Sequence, residues 1–346
     1  MSKLNVLIAG STGYIGIQLI KLLIKHRFVK IKYLCGNNSV GKNISFYDKS
    51  LTKKKLPKII KFSKKLLKDI DVIFTALPNG EAQTISKSLN KNNVLIDLSG
   101  DFRLKKSLDY FKWYNQKHKA VKKIKKSIYS IPELQNEKLK NYNIISCPGC
   151  YPTSILLPLI PLIEKDLINT KNIIIDSKSG YSGAGRNVHK KFKDKNLYGS
   201  LKAYGIKYHK HNPEIIQTLN QYSKKEIIFE FIPHLTPMFR GILSTIYINL
   251  NKNISHSKII KVLTNYYKRA EFIKIFKKDY LLSTNDVINT NNCYISINKT
   301  NNRNNLIILS VIDNLIKGGA GQAIQNLNLR FNFPEKEGLK WKFCIY

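Results

Sequence analysis

Along the first 150 positions the apolar residues come in short continuous runs: "LNVLIA" at 4–9, "IKYLCG" at 31–36, "DVIFTALP" at 71–78 and "NVLIDLSGDFR" at 93–103. Each run stops at a turn signal, and strands apolar on both faces belong to a sheet covered on both sides. Between them the spacing becomes helical, at Ile17, Leu19, Ile20, Leu22, Leu23 and Ile24 and again in "GEAQTISKSLNKNN". This alternation predicts an α/β fold with a Rossmann-like parallel sheet.

Beyond residue 150 the pattern changes. "NIIIDSKSG", "EIIFEFIPHL", "GILSTIYINL", "CYISINKT" and "NLIILSVID" read as strands, with helical "PEIIQTLNQY" and "HSKIIKVLTNYYK" between them. The expectation is an α+β domain on a mixed sheet. The basic stretch "KKIKKS" at 122–127 reads as a loop, and "KGGAGQAIQNLNLRF" as a glycine turn feeding a helix that returns to the first domain. The expected division is 1–149 with 318–346 for the nucleotide-binding domain, and 150–317 for a catalytic and oligomerisation domain.

With 346 residues, 43% of them hydrophobic, the chain can bury two cores. It has no run of eighteen apolar residues and no charged leader, so a cytoplasmic protein without a membrane partner is expected. The five cysteines at 35, 147, 150, 293 and 344 are scattered and odd in number, which favours reduced thiols. The one CxxC lacks a second pair or nearby histidines, so no metal is expected. A net charge of +37 points toward an anionic partner. The lysines, however, are spread among Asn and Ile, without an aromatic-interleaved basic stripe, and read as solvated faces rather than a nucleic-acid footprint. Such a surface still attracts a phosphorylated small molecule.

Gly10, Gly13 and Gly16 follow the first strand in GxxGxxG spacing, with Ser11, Thr12, Tyr14 and Ile15 completing "GSTGYIG". A glycine triplet alone can be a mere strand-to-helix turn. Directly after a first strand it suits a dinucleotide pyrophosphate held on helix amides. The next strand ends in "CGNNSVGK", with no carboxylate before Asp48. Neutral and basic groups there tolerate a ribose 2′-phosphate, so NADP(H) is expected over NAD, with Ser39 and Lys42 as contacts.

"SCPGCYPT" at 146–153 takes a strand through a Pro-Gly turn into a helix. Cys150 then stands at the helix N-terminus, where the dipole and unpaired amides favour thiolate, whereas Cys147 on the strand side lacks that help. Pro158 and Pro161 predict a kink or an early stop. The base for such a thiol is sought in "YHKHNPEI", where Asn212 and Pro213 read as N-cap and first helical residue, and Glu214 lies near enough to orient His211. Arg103 in "LSGDFRL", Arg186 in "SKSGYSGAGR" and Arg240 in "HLTPMFRG" each stand beside turns that suit an anion.

Together these stretches resemble the N-acetyl-gamma-glutamyl-phosphate reductases, NADP-dependent enzymes of arginine biosynthesis. The resemblance runs through "GSTGYIG", "ALPNG", "DLSGDFR", "PGCYPT", "SGYSGAGR", "HKHNPEI", "HLTPMFRG" and "GGAGQAIQN". It implies Cys150 as nucleophile, His211 as acid–base residue and Glu214 as its partner. It also implies Ser179, Ser182, Gly183, Arg186, His209, Arg103 and Arg240 around the acyl-phosphate substrate, and Pro78, Gln322 and Asn326 beside the cofactor. A homodimer or homotetramer built through the second domain follows from the same resemblance.

One position departs from that family: it usually carries asparagine before PGC, and this chain has Cys147, which opens the possibility of a Cys147–Cys150 disulfide. Lys210 and the doubled glycine at 318–319 read as tolerated variation. Aspartate-semialdehyde dehydrogenase and the carrier-linked lysine-pathway reductases share the architecture and the thioester route. A basic nucleic-acid-binding protein is the non-enzyme alternative, and predicts steeply salt-dependent binding.

Overall fold

A computed structural model describes residues 2–135, 138–186, 199–277, 280–302 and 304–340. The chain forms two compact units, one running to Pro148 and resuming at Gly319, the other Gly149–Gly318. Among the described residues no helix is long and apolar enough to cross a membrane.

The first unit is built on strands β1 (Leu4–Ala9), β2 (Val29–Cys35), β3 (Ile59–Ile60), β4 (Val72–Thr75), β5 (Val94–Asp97), β6 (Ser127–Tyr129) and β7 (Ile144–Ser146). They pair throughout in parallel, in the order β3-β2-β1-β4-β5-β7-β6. Val6, Leu7 and Ile8 are consecutive and fully buried, as a strand covered on both faces requires. Helices α1 (Tyr14–Leu23), α2 (Glu81–Lys87), α3 (Ser107–Tyr114) and α4 (Val121–Ile124) connect the strands. The "KKIKKS" stretch expected as a loop runs from within α4 through a turn at 125–126 to the start of β6. Its lysines face water while Ile124 and Ile128 are buried.

The second unit opens with helix α5 (Cys150–Glu164), continues through α6 (Asn212–Leu219) and α7 (His256–Tyr266), and holds a second sheet. Its strands are β8 (Ile173–Gly180), β9 (Lys202–Ala203), β10 (Phe229–Thr236), β11 (Ile242–Asn249), β12 (Ile273–Phe276), β13 (Cys293–Lys299) and β14 (Asn305–Ile312). The order is β12-β13-β14-β11-β8-β10-β9, with β8 parallel to β10 and antiparallel to β11, so the sheet is mixed as expected. Burial alternates along β11: Ile242, Ser244, Ile246 and Ile248 point into the core on which α5 lies. The last helix, α8 (Gly321–Arg330), belongs to the first unit.

Helix α5 does not stop at its prolines. It runs unbroken from Cys150 to Glu164, and every residue from Tyr151 to Ile163 is buried. Pro161 has no N–H for the carbonyl of Leu157, and the hydroxyl of Tyr267 donates to that carbonyl instead, at 2.6 Å. A partner from outside the helix thus satisfies the group that the proline leaves open.

Candidate active site

The nucleophile turn is shaped by what surrounds Gly149. This residue is the N-cap of α5 and brings no side-chain acceptor, so Cys150 begins a fifteen-residue helix whose dipole points at its thiol. Cys150 is partly exposed, whereas the other described cysteines, Cys35, Cys147 and Cys293, are buried. The Gly149 amide donates to Oε1 of Glu214 at 2.7 Å, and Glu214 itself is fully buried. A Cβ at Gly149 would collide with the His211 imidazole, whose Cδ2 and Cε1 would lie 2.7 Å away. A Cβ at Gly318 would come within 2.6 Å of the Cβ of Cys150. Two glycines therefore clear the space in which thiol and imidazole meet the same turn. Gly318 is thus no freely variable position. It sits in a π-helical turn, Ile316–Ala320, a local widening that lets backbone pass close to the cysteine.

His211 is held by its neighbours. It is the N-cap of α6, one residue earlier than the sequence pattern predicts, and its amide donates to Nδ1 of His209 at 3.1 Å. The rings of His209 and His211 are 4.8 Å apart, and Tyr151, Tyr204 and Phe231 surround His209 edge-on. Burial, helped by the charge of Lys210, pulls the His209 pKa down to about 4. His209 is therefore neutral at physiological pH. Its role in the structure is to fix the backbone of His211. Glu214 lies in the first turn of α6 as expected, with its carboxylate on the main chain of the cysteine turn.

Two of the anion stretches join into one structure. The amides of Gly180, Tyr181 and Ser182 donate to the carbonyls of Gly241, Met238 and Phe239, zipping "SGYSGAGR" to "HLTPMFRG". Asn314 locks the pair: its Nδ2 donates to Ser182 at 3.0 Å, and its Oδ1 accepts the Gly241 amide at 2.7 Å. Ser179 and Ser182 are buried, and the Ser179 hydroxyl donates to Gly180 O. Gly183 and Arg186 are exposed. The guanidinium of Arg240 is paired with the buried Asp313 at 3.1 Å and with Asn289.

Arg103 is also engaged. It is buried in the first unit, where its Nε donates to the carbonyl of Cys147 at 2.9 Å, so it braces the chain ahead of the cysteine turn. The rest of "DLSGDFR" is a knot of buried acceptors. Asp97 takes hydrogen bonds from Thr75, Ser99 and Asp101, and Asp101 from Gly80, Gln83 and Tyr110.

In the glycine turn, a Cβ at Gly10 (φ +85°) would strike the Ala76 carbonyl, and one at Gly16 would strike the backbone of Ser11. Those two glycines are demanded by packing. Gly13, the N-cap of α1, has only Gly10 O near its missing Cβ, at 3.6 Å, and supplies no side-chain acceptor to the helix amides. A phosphate group fits that helix end. Ser11 is fully buried and its hydroxyl donates to Cys35 O, so its side chain ties the turn to β2 and does not face a ligand. Pro78 is exposed just past the end of β4. Gln322 and Asn326 are fully buried on α8, and Asn326 exchanges hydrogen bonds with Ser130.

Comparison with known proteins gives the family. Residues 5–142 match the family description "Semialdehyde dehydrogenase, NAD binding domain", and residues 150–314 match "Semialdehyde dehydrogenase, dimerisation domain". A protein of Vesicomyosocius okutanii named N-acetyl-gamma-glutamyl-phosphate reductase is 43% identical over 97% of this chain and 98% of its own length. One of the same name from Halothermothrix orenii is 40% identical over the same shares. The chain belongs to the N-acetyl-gamma-glutamyl-phosphate reductase family. Its fold is shared with aspartate semialdehyde dehydrogenase II of Vibrio cholerae, solved with ASA (TM-score 0.70, 16% identity, 96% of this chain and 99% of that one). It is shared equally with the Candida albicans aspartate semialdehyde dehydrogenase solved with NADP (TM-score 0.67, 16% identity, 95% and 98%).

Within this reductase family, Cys147 is the residue to account for. It is buried, and Asn326 Nδ2 reaches its sulfur at 3.6 Å. Burial pushes its thiol up to about 12, so it stays protonated and unreactive. Cys147 and Cys150 are both free thiols. Sequence reasoning also missed Asp313 and Asn314, which organise the joined loops. The available signal was a polar pair at the very end of an apolar strand, just ahead of a glycine-rich turn.

Proposed function

We propose that the chain reduces N-acetyl-gamma-glutamyl phosphate to N-acetyl-L-glutamate 5-semialdehyde and phosphate with NADPH, in arginine biosynthesis, through a thioester on Cys150. The observation that carries this reading is Cys150 at the N-terminus of α5, with Gly149 and Gly318 bare around it and His211 against the same turn.

A free carboxylate accepts no hydride at a useful rate, and an acyl phosphate has a good leaving group. The Cys150 thiolate attacks the acyl carbon, and the helix N-terminus stabilises negative charge at that place. The carbon–oxygen bond to phosphate breaks, leaving a thioester and inorganic phosphate. NADPH, when bound, supplies the hydride that takes the thioester to the aldehyde level, and the Gly10–Gly16 turn with the amides of α1 would hold its pyrophosphate. His211 delivers a proton to the oxygen of the reduced carbon and takes it back as the carbonyl re-forms, with Cys150 leaving as thiolate. Gly183 and Arg186, both exposed, are the groups this reading assigns to the phosphate. Assembly as a homo-oligomer through the second unit belongs to the same reading, supported by the match of residues 150–314 to a dimerisation domain.

The test runs the reaction in reverse. With N-acetyl-glutamate semialdehyde, phosphate and NADP, absorbance of the reduced cofactor is expected to rise only when all three are present. Turnover of aspartate semialdehyde in place of the N-acetylated substrate would overturn the reading in favour of the fold's other known chemistry.

A further inference from the structure

In the first unit a cavity of about 230 Å³ lies beside the glycine turn, lined by Gly10, Cys35, Gly36, Asn37, Lys61 and Phe62 among others. Neither Ser39 nor Lys42, the residues expected to meet a ribose 2′-phosphate, lines it. Ser39 is buried and its hydroxyl accepts from Tyr47 at 2.7 Å. The ammonium of Lys42 lies 4.7 Å from the ring centroid of Phe46.

The strand order explains why Lys61 is present. In a doubly wound sheet the end of β2 is where an acidic side chain holds the ribose hydroxyls in NAD-selective proteins. Here that position carries Gly36 and Asn37, and the next strand outward is β3. Cys35 pairs with Ile60, and the Gly36 amide donates to Ile60 O at 3.1 Å, so Lys61 is the first residue past the end of β3 and stands beside the end of β2. A cation has taken up the side of the cavity where a carboxylate would otherwise be. Glu81 also lines the cavity, but it follows β4. Three strand spacings, roughly 14 Å, separate β3 from β4. Glu81 enters the cavity from the start of α2 and Lys61 from the end of β3.

We propose that Lys61 is the residue that selects NADP over NAD, by contact with the 2′-phosphate of a dinucleotide bound at the Gly10–Gly16 turn. This rests on the cofactor reading above. Lys61 is exposed at the end of a two-residue strand, and its replacement leaves the core untouched.

The experiment titrates wild type, Lys61→Gln and Lys61→Arg calorimetrically with NADP+, NAD+ and 2′-AMP, and measures KM for NADPH and NADH. Lys61→Gln is expected to weaken NADP+ and 2′-AMP by about ten- to a hundredfold, the range of one charge-assisted contact, while NAD+ changes little. Lys61→Arg is expected to keep the preference. An unchanged NADP+ to NAD+ ratio in Lys61→Gln overturns the proposal, and so does equal weakening of both. A wild-type protein that binds and uses NAD(H) as well as NADP(H) overturns the cofactor reading itself, whatever the variants do.

Discussion

Glu214 reaches the nucleophile turn through its main chain: Oε1 accepts the amide hydrogen of Gly149, the residue before Cys150, at 2.7 Å. The start of α6 and the start of α5 are thereby tied at the point where His211 lies against the turn.

Removing the acceptor and removing the charge separate at this position. Glu214→Ala leaves the Gly149 amide buried without its partner, which costs about 1–3 kcal/mol, while Glu214→Gln keeps an oxygen in place. Urea denaturation is expected to place Glu214→Gln near wild type and Glu214→Ala well below it. Equal destabilisation of the two would mean that the contact is not what Glu214 contributes.

Gly149→Ala sets a methyl group against the His211 ring. Displacement of an acid–base group by about 1 Å costs roughly a hundredfold in rate, and a loss of at least that order in kcat is expected from stopped assays on folded protein. Retained activity would show that His211 can move aside and still act.

The two cysteines of the turn should differ in reactivity. With its thiol pushed up to about 12, Cys147 is expected to resist alkylation at neutral pH, while Cys150 reacts. Peptide mapping after brief iodoacetamide treatment reads this directly. Cys147→Asn is expected to leave activity intact.

Stability should fall in mild acid. His209 has a folded pKa of about 4 against 6.5, so the unfolded chain binds its proton first. Its contribution is complete above pH 6.5 and is lost as pH falls through that value toward 4. Buried His26 and His118 are shifted in the same direction. Asp97 opposes them, because burial and the charge of Asp101 raise its pKa and the folded state takes up its proton first. His209→Gln is expected to flatten the acid limb of a plot of melting temperature against pH between 6.5 and 4. An unchanged slope would contradict the neutral, enclosed imidazole.

The parallel half was legible in the sequence because continuous apolar runs such as Leu4–Ala9 carry their own signal. The strands that escaped notice, Ile59–Ile60, Ser127–Tyr129, Lys202–Ala203 and Ile273–Phe276, are two to four residues long, too short to show a period. Helix α5 was expected to break at its prolines because local rules cannot anticipate Tyr267, more than a hundred residues away, capping Leu157 O. Cys150, His211 and Glu214 were legible from a turn and a helix start, and the structure brings them together. The internal partners of Arg103 and Arg240 were not legible, because residue type near a turn does not reveal them. Cys147 O and Asp313 lie 44 and 73 residues away from them, and only the fold introduces them.

The central claim is that Cys150 carries the acyl group. Intact-mass measurement of protein mixed with N-acetyl-gamma-glutamyl phosphate, without cofactor, tests it most directly. A mass gain of one N-acetylglutamyl group, mapped to Cys150 and absent in Cys150→Ser, is predicted; no adduct on wild-type protein that turns over, or an adduct that persists in Cys150→Ser, would contradict the account.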